Sequence, residues 1–177
     1  MNKVIKKAVL LSFVMFFTIS LAACGQSPQA VTHMVDTDNN PVGKVVLTET
    51  EDGVSFFISL KNMPPGIHAF HVHENGSFEL PDFKKAGGHF NPFNREHGLN
   101  NPKGAHAGDL PNIWVKDDGT CEDLIITDAV TFEKGKKNSL LKEGGTSIII
   151  HMGADDHKTN PAGNAGKRIA GGIIEEI

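Results

Sequence analysis

Six of the nine histidines in this chain of 177 residues fall between His68 and His106, a density that calls for a chemical reason. His71 and His73 sit two apart in Phe70-His71-Val72-His73. That run reads as a β-strand, so both rings project from one face. A pair of imidazoles on a stiff strand is a preformed half of a transition-metal site. Taken alone, the pair is equally well read as two surface histidines. Farther on, His89, His97, His106 and Asp109 are separated by seven, eight and two intervening residues. Three nitrogens and one carboxylate make a closed tetrahedral shell of the kind favoured by structural zinc. Gly87 and Gly88 before His89, with Gly98, Gly104 and Gly108 beyond it, leave the backbone free to wrap one ion. Metal would also order a stretch that has no core of its own, because binding adds folding energy. His151 closes the apolar run Ile148-Ile149-Ile150, where a lone histidine is by itself a satisfied strand end.

These side chains must be carried by β-structure. Val54, Phe56, Ile58 and Leu60 alternate with Ser55, Ser59 and Lys61, as a half-buried strand requires. Similar short runs at 30–35, 44–50, 67–73, 112–116, 123–127, 147–151 and 168–174 bring the expectation to eight strands. Asp38-Asn39-Asn40-Pro41, Glu51-Asp52-Gly53 and Asp117-Asp118-Gly119 supply turns between them. The expected fold is all-β, an eight-stranded Greek-key sandwich or barrel. Residues 74–111 break the rhythm. They hold no convincing strand and are dense in Gly, Pro, Asn and His, as a long functional loop is.

The first residues read as an address. Lys3, Lys6 and Lys7 precede the uncharged apolar run 8–23, which is short for a membrane span and right for a signal peptide. It ends in Leu21-Ala22-Ala23-Cys24, which looks like the lipobox of bacterial lipoproteins, with Cys24 as the lipidated residue. The expected organisation is a lipoprotein signal peptide over 1–23, a tether over 24–30 and one domain over 31–177. The domain would then sit outside the cytoplasmic membrane, lipid-anchored to it through Cys24. A formal net charge of −4 without basic clusters argues against nucleic acid as a partner. Beyond Cys24 the only cysteine is Cys121, so no internal disulfide is possible.

At this point the residues resemble the copper–zinc superoxide dismutases. The resemblance runs from about Val45 to the C-terminus. It rests on Gly66-Ile67-His68-Ala69-Phe70-His71-Val72-His73-Glu74, Ala86-Gly87-Gly88-His89-Phe90-Asn91-Pro92, His106-Ala107-Gly108-Asp109-Leu110 and Gly163-Asn164-Ala165-Gly166-Lys167-Arg168, in that order. It implies that His71, His73, His89 and His151 bind copper, and that His89, His97, His106 and Asp109 bind zinc. His89 would be shared as a bridging imidazolate and would pass a proton during turnover. Asp155 matches the aspartate that joins a copper-binding to a zinc-binding histidine. Arg168 matches the arginine that draws the substrate, superoxide, toward copper, with Lys158 and Lys167 nearby. His68 is expected to hydrogen-bond inside one end of the barrel, and His33 and His157 to lie on the surface.

The chain departs from the family in one respect. The usual disulfide between the metal loop and the last long strand is missing. Gly171 stands at the strand position, and the loop position falls near Phe78. A greater reliance on zinc is expected in consequence. The resemblance leaves the oligomeric state open between monomer and homodimer. A metal-binding protein of the same fold without turnover is the alternative; the full set of metal-binding residues together with Asp155 and Arg168 favours the enzyme.

Overall fold

The structure is a computed structural model and describes residues 29–177; the expected signal segment, Cys24 and most of the tether lie outside the described residues. Alternation of apolar residues produces the strands where it was read. Val54, Phe56, Ile58 and Leu60 are buried and their partner Phe57 is exposed. Among the described residues ten strands form: β1 (Ala30–Asp36), β2 (Pro41–Thr50), β3 (Gly53–Leu60), β4 (Gly66–His68), β5 (Phe70–His73), β6 (Ile113–Val115), β7 (Cys121–Thr127), β8 (Ser147–His151), β9 (Arg168–Ile173) and β10 (Glu175–Glu176).

The main sheet is antiparallel, in the order β5-β8-β9-β1-β2-β3-β7, with β10 added on β1. β1, β2 and β3 form a meander, and β9 returns over a long connection to lie beside β1, which is Greek-key order. The sheet closes over one core that includes Met34, Leu47, Phe56, Ile58, Phe70, Leu110, Ile113, Ile148 and Ile150. Burying each such side chain contributes about 1.5–3 kcal/mol. Cys121 belongs to this core, and burial pushes its thiol up to about 11, so it packs as a small apolar group.

Two differences from the expected eight strands have local causes. The run 67–73 is not one strand. It divides at Ala69, with β4 pairing β6 in a separate ribbon and β5 pairing β8 in the main sheet. Ala69 stitches the two parts to the β8 end, its N–H donating to Gly153 and its carbonyl accepting from His151. β10 consists of two exposed glutamates and is formed by main-chain pairing to Ala30 and Val31, so no apolar pattern announces it.

Residues 74–111 form a loop with a single 3₁₀ turn (Lys84–Ala86) and no named strand. The loop folds back on β5. Phe90 N–H donates to Val72 O, Val72 N–H to Gly108 O and Gly108 N–H to Phe90 O, each at 2.9 Å. Gly108 is pressed between these chains: a methyl there would collide with the Val72 carbonyl and come within 2.9 Å of the Phe90 nitrogen. Gly108→Ala is therefore expected to lower stability by about 1–3 kcal/mol or more, the cost of overpacking a closed site. A thermal melt of the metal-loaded protein checks this; an unchanged midpoint would show that the loop does not lie against β5.

Candidate metal centre

Strand alternation turns the rings of His71 and His73 to the same side of β5. Both are fully buried because the loop covers that side. Isolated bridges His71↔Asp109 and His73↔His89 attach the loop to the same strand. His151, at the end of the neighbouring β8, completes one cluster: His71, His73, His89 and His151. The second is His89, His97, His106 and Asp109, so His89 belongs to both. Within each cluster the ligand atoms lie within 4.8 Å of one another, and all seven residues are buried.

Hydrogen bonds fix which nitrogen of each ring is available. His73 Nδ1–H donates to Gly87 O and His151 Nδ1–H to Gly166 O, both at 3.1 Å, leaving the Nε2 lone pairs inward. His71 is turned the other way. Its Nε2–H donates to Asp155 Oδ2 at 2.8 Å, and Nδ1 faces the cluster. His71 Nδ1, His73 Nε2, His89 Nε2 and His151 Nε2 are buried without any hydrogen-bond partner. Four such orphans in one place are costly in a protein interior unless a cation takes their lone pairs. Burial, with the neighbouring imidazoles adding to it, pulls His151 down to about 3 and His73 well below its ordinary range. Burial also pulls His89 down to about 4, against the opposing pull of Asp109. These rings are neutral at physiological pH, the form a metal needs.

The second cluster is arranged differently. Nδ1 of His89, His97 and His106 lies 2.8, 3.0 and 3.2 Å from the same oxygen, Asp109 Oδ1. One carboxylate oxygen has two lone pairs and cannot satisfy three imidazole N–H donors. A tetrahedral zinc would set such ligand atoms about 3.3 Å apart. The other oxygen, Oδ2, accepts the N–H groups of Gly98 (2.8 Å) and His106 (2.9 Å), which aims Oδ1 at the cluster. Both residue sets fit the ions expected of them.

Asp155 ties the clusters together, accepting from His71 Nε2 on Oδ2 and from His97 Nε2 on Oδ1 (3.0 Å). Such outer carboxylates fix ring orientation and basicity. Three residues that the sequence reading missed support this arrangement. Asn112 makes a two-way clasp with the Asp155 backbone, accepting its N–H at 2.8 Å and donating to its carbonyl at 2.9 Å. Asn160 accepts the His97 N–H at 2.6 Å. His157, expected on the surface, is half-buried, donates its backbone N–H to Asp155 at 2.6 Å and accepts from Asn112 through Nε2. Only the tertiary fold brings these positions together; their spacing carries no signal. His33 is exposed as expected. His68 bonds the carbonyls of His151 (2.9 Å) and Pro64 (2.7 Å) inside the barrel end, also as expected.

A cleft of about 400 Å³ opens over the first cluster, lined by His73, His89, His151, Glu74, Pro161 and Arg168 among others. Arg168 is held there by the carbonyls of Phe83 (2.6 Å) and Gly87 (2.5 Å). Lys158 and Lys167, expected to assist it, do not line the cleft. Both are exposed.

Burial lowers the affinity of His97 for a proton, but the flanking carboxylates Asp109 and Asp155 outweigh it and push the ring up to about 9 when no metal is bound. Below that pH zinc must displace a proton from His97. Zinc uptake at pH 7 is therefore expected to release about one proton, and uptake at pH 10 none from this group. Calorimetry in buffers of different ionisation enthalpy measures this. With no disulfide to hold the loop, a support typically worth about 2–5 kcal/mol, chelation should also lower the melting temperature sharply; a midpoint indifferent to metal would refute the zinc set as a structural element.

The chain is similar to known proteins in both sequence and fold. The family described as "Copper/zinc superoxide dismutase (SODC)" matches residues 42–174. The chain is 49% identical over 154 residues to "Superoxide dismutase (Cu-Zn) 2" of Aquifex aeolicus, covering 86% of this chain and 90% of that protein. Among solved structures, a SOD-like protein from Bacillus subtilis is similar at 42% identity with a TM-score of 0.80, covering 83% of this chain and 99% of that one. The Cu/Zn superoxide dismutase from Brucella abortus is similar at 30% identity with a TM-score of 0.67, covering 82% and 98%. Sequence, fold and the two histidine clusters agree: this chain belongs to the copper/zinc superoxide dismutase family.

Proposed function

We propose that the chain dismutes superoxide, converting two superoxide anions and two protons into dioxygen and hydrogen peroxide. The carrying observation is the group of four buried, unpartnered ring nitrogens directly beside a closed three-histidine, one-aspartate set. In this reading His71, His73, His89 and His151 hold copper, and His89, His97, His106 and Asp109 hold zinc. When bound, copper supplies a one-electron couple that accepts and returns an electron in turn, while zinc, having no redox chemistry, supplies charge and fixed geometry.

The chain's own groups do the rest. Gly87 O, Gly166 O and Asp155 hold His73, His151 and His71 in single tautomers, so their lone pairs need no reorientation. His89 stands between the two sets, with Nδ1 toward Asp109 and Nε2 on the side of the cleft. Its Nε2 is the atom that can hold a proton and release it to the departing peroxide, while Nδ1 stays engaged. The second proton comes from solvent through the cleft. Arg168 places a fixed positive charge on the cleft wall and draws a small anion inward, a steering effect for which superoxide dismutases are themselves the standing example.

We further propose that the domain works outside the cytoplasmic membrane, held by lipid on Cys24. Lys3, Lys6 and Lys7 ahead of an apolar run, and small residues directly before Cys24, support this. Two acyl chains suffice for a stable anchor. Its role there would be to protect the cell exterior from superoxide.

Copper and zinc content and superoxide consumption, measured on one preparation, test the activity. Both metals bound with no superoxide consumed would overturn it and leave a metal-binding protein of the same fold. His151→Ala removes a nitrogen from the first set and none from the second, so copper and activity are expected to be lost with zinc retained. For the anchor, labelled palmitate fed to cells should be incorporated into the native chain and not into Cys24→Ala; no incorporation into the native chain would disprove lipidation as the tether.

A further inference from the structure

The guanidinium of Arg168 owes its place to two carbonyls, those of Phe83 and Gly87, which flank the single 3₁₀ turn of the loop. Gly87 O also receives His73 Nδ1, so this short segment holds both a cleft charge and a ring of the first cluster. Something must hold the segment itself. No cysteine is present in it, and Cys121 is a free thiol buried in the main core.

Phe83 is fully buried, although it has a φ of 54°, a left-handed conformation that bulky side chains rarely adopt. Its ring does not join the main core. It forms a separate cluster with Ala86 and Ile149, against which Val35, Phe78 and Leu80 pack. The floor of this cluster is Gly171 on β9. A Cβ at that position would lie 2.7 Å from Phe83 Cδ1 and 2.8 Å from Ile149 Cδ1, so only glycine leaves room for the ring. Phe78, which the sequence placed opposite Gly171, instead lies against Phe83 with ring centroids 5.2 Å apart.

We propose that Phe83 is a positioning residue: its ring, seated in the socket made by Gly171 and Ile149, fixes the turn whose carbonyls hold Arg168 over the cleft. The loop is thus fastened to β9 by an apolar plug, and the placement of the anion-attracting charge is independent of any thiol chemistry. The unfavourable backbone conformation at Phe83 persists because burial of the ring over-determines it. This inference rests on the dismutase reading for its consequence in turnover, though not for its structural content.

The test compares Phe83→Ala, Phe83→Leu and Gly171→Ala with the native chain, all loaded with copper and zinc and compared per bound copper. Two readouts are needed: azide affinity, titrated by visible absorption without turnover, and the salt dependence of kcat/KM for superoxide. Phe83→Ala is expected to weaken azide binding and to lower low-salt kcat/KM, each by roughly tenfold, with a flattened salt dependence. Phe83→Leu, which refills part of the socket, should recover most of both. Gly171→Ala, which displaces the ring, should resemble Phe83→Ala. If Phe83→Ala does not fold, the other two variants decide: native azide affinity and native salt dependence in Gly171→Ala would overturn the proposal. So would a Phe83→Leu protein as impaired as Phe83→Ala. A native chain that binds azide but consumes no superoxide would sink the dismutase reading alone, and the azide series would still judge the role of Phe83.

Discussion

Seven buried polar side chains converge where the loop meets the sheet, and three imidazoles face one oxygen of Asp109. Without a cation this is a poor arrangement. Four ring nitrogens lack partners, and three potential donors compete for one acceptor. With two cations, each lone pair has a use. The loop over 74–111 has one 3₁₀ turn and a thin apolar cluster of its own, so its order depends on satisfying these groups.

The two sets are coupled at two depths. His89 belongs to both, through its two nitrogens. Asp155 links them from behind, accepting one hydrogen bond from His71 and one from His97. Burial opposes ionisation of Asp155, but bonds to His71 and His97 hold it well below the usual carboxylate range. A change in one set therefore reaches the other through short, buried, directional bonds, which lose little strength to solvent.

Members of this family normally tie the metal loop to the last long strand by a covalent link, and this chain uses none. Two noncovalent supports act instead. One is the zinc set, which gathers the far part of the loop around Asp109. The other is Phe83 lying on Gly171, close to the missing link's strand position. Neither responds to reducing conditions, since neither involves sulfur.

Much of the site could be read in the residues themselves. Spacing of two puts His71 and His73 on one face of any strand, and His89, His97, His106 and Asp109 already form a zinc-like donor set on a strandless loop. Alternation in 54–60 settles which side of β3 meets the core, because the pleat period is two. What only the tertiary structure decided depends on long-range approach. Ala69 splits what reads as one continuous strand because its two halves find different partners, β6 and β8. His71 presents Nδ1 and its neighbour His73 presents Nε2, since Asp155 and Gly87 claim the opposite nitrogens. Asn112, Asn160 and His157 join the support of Asp155 and His97 from segments distant in the chain. Local pattern records which way a side chain points. Which hydrogen-bond partner waits there is set only when separate segments pack together.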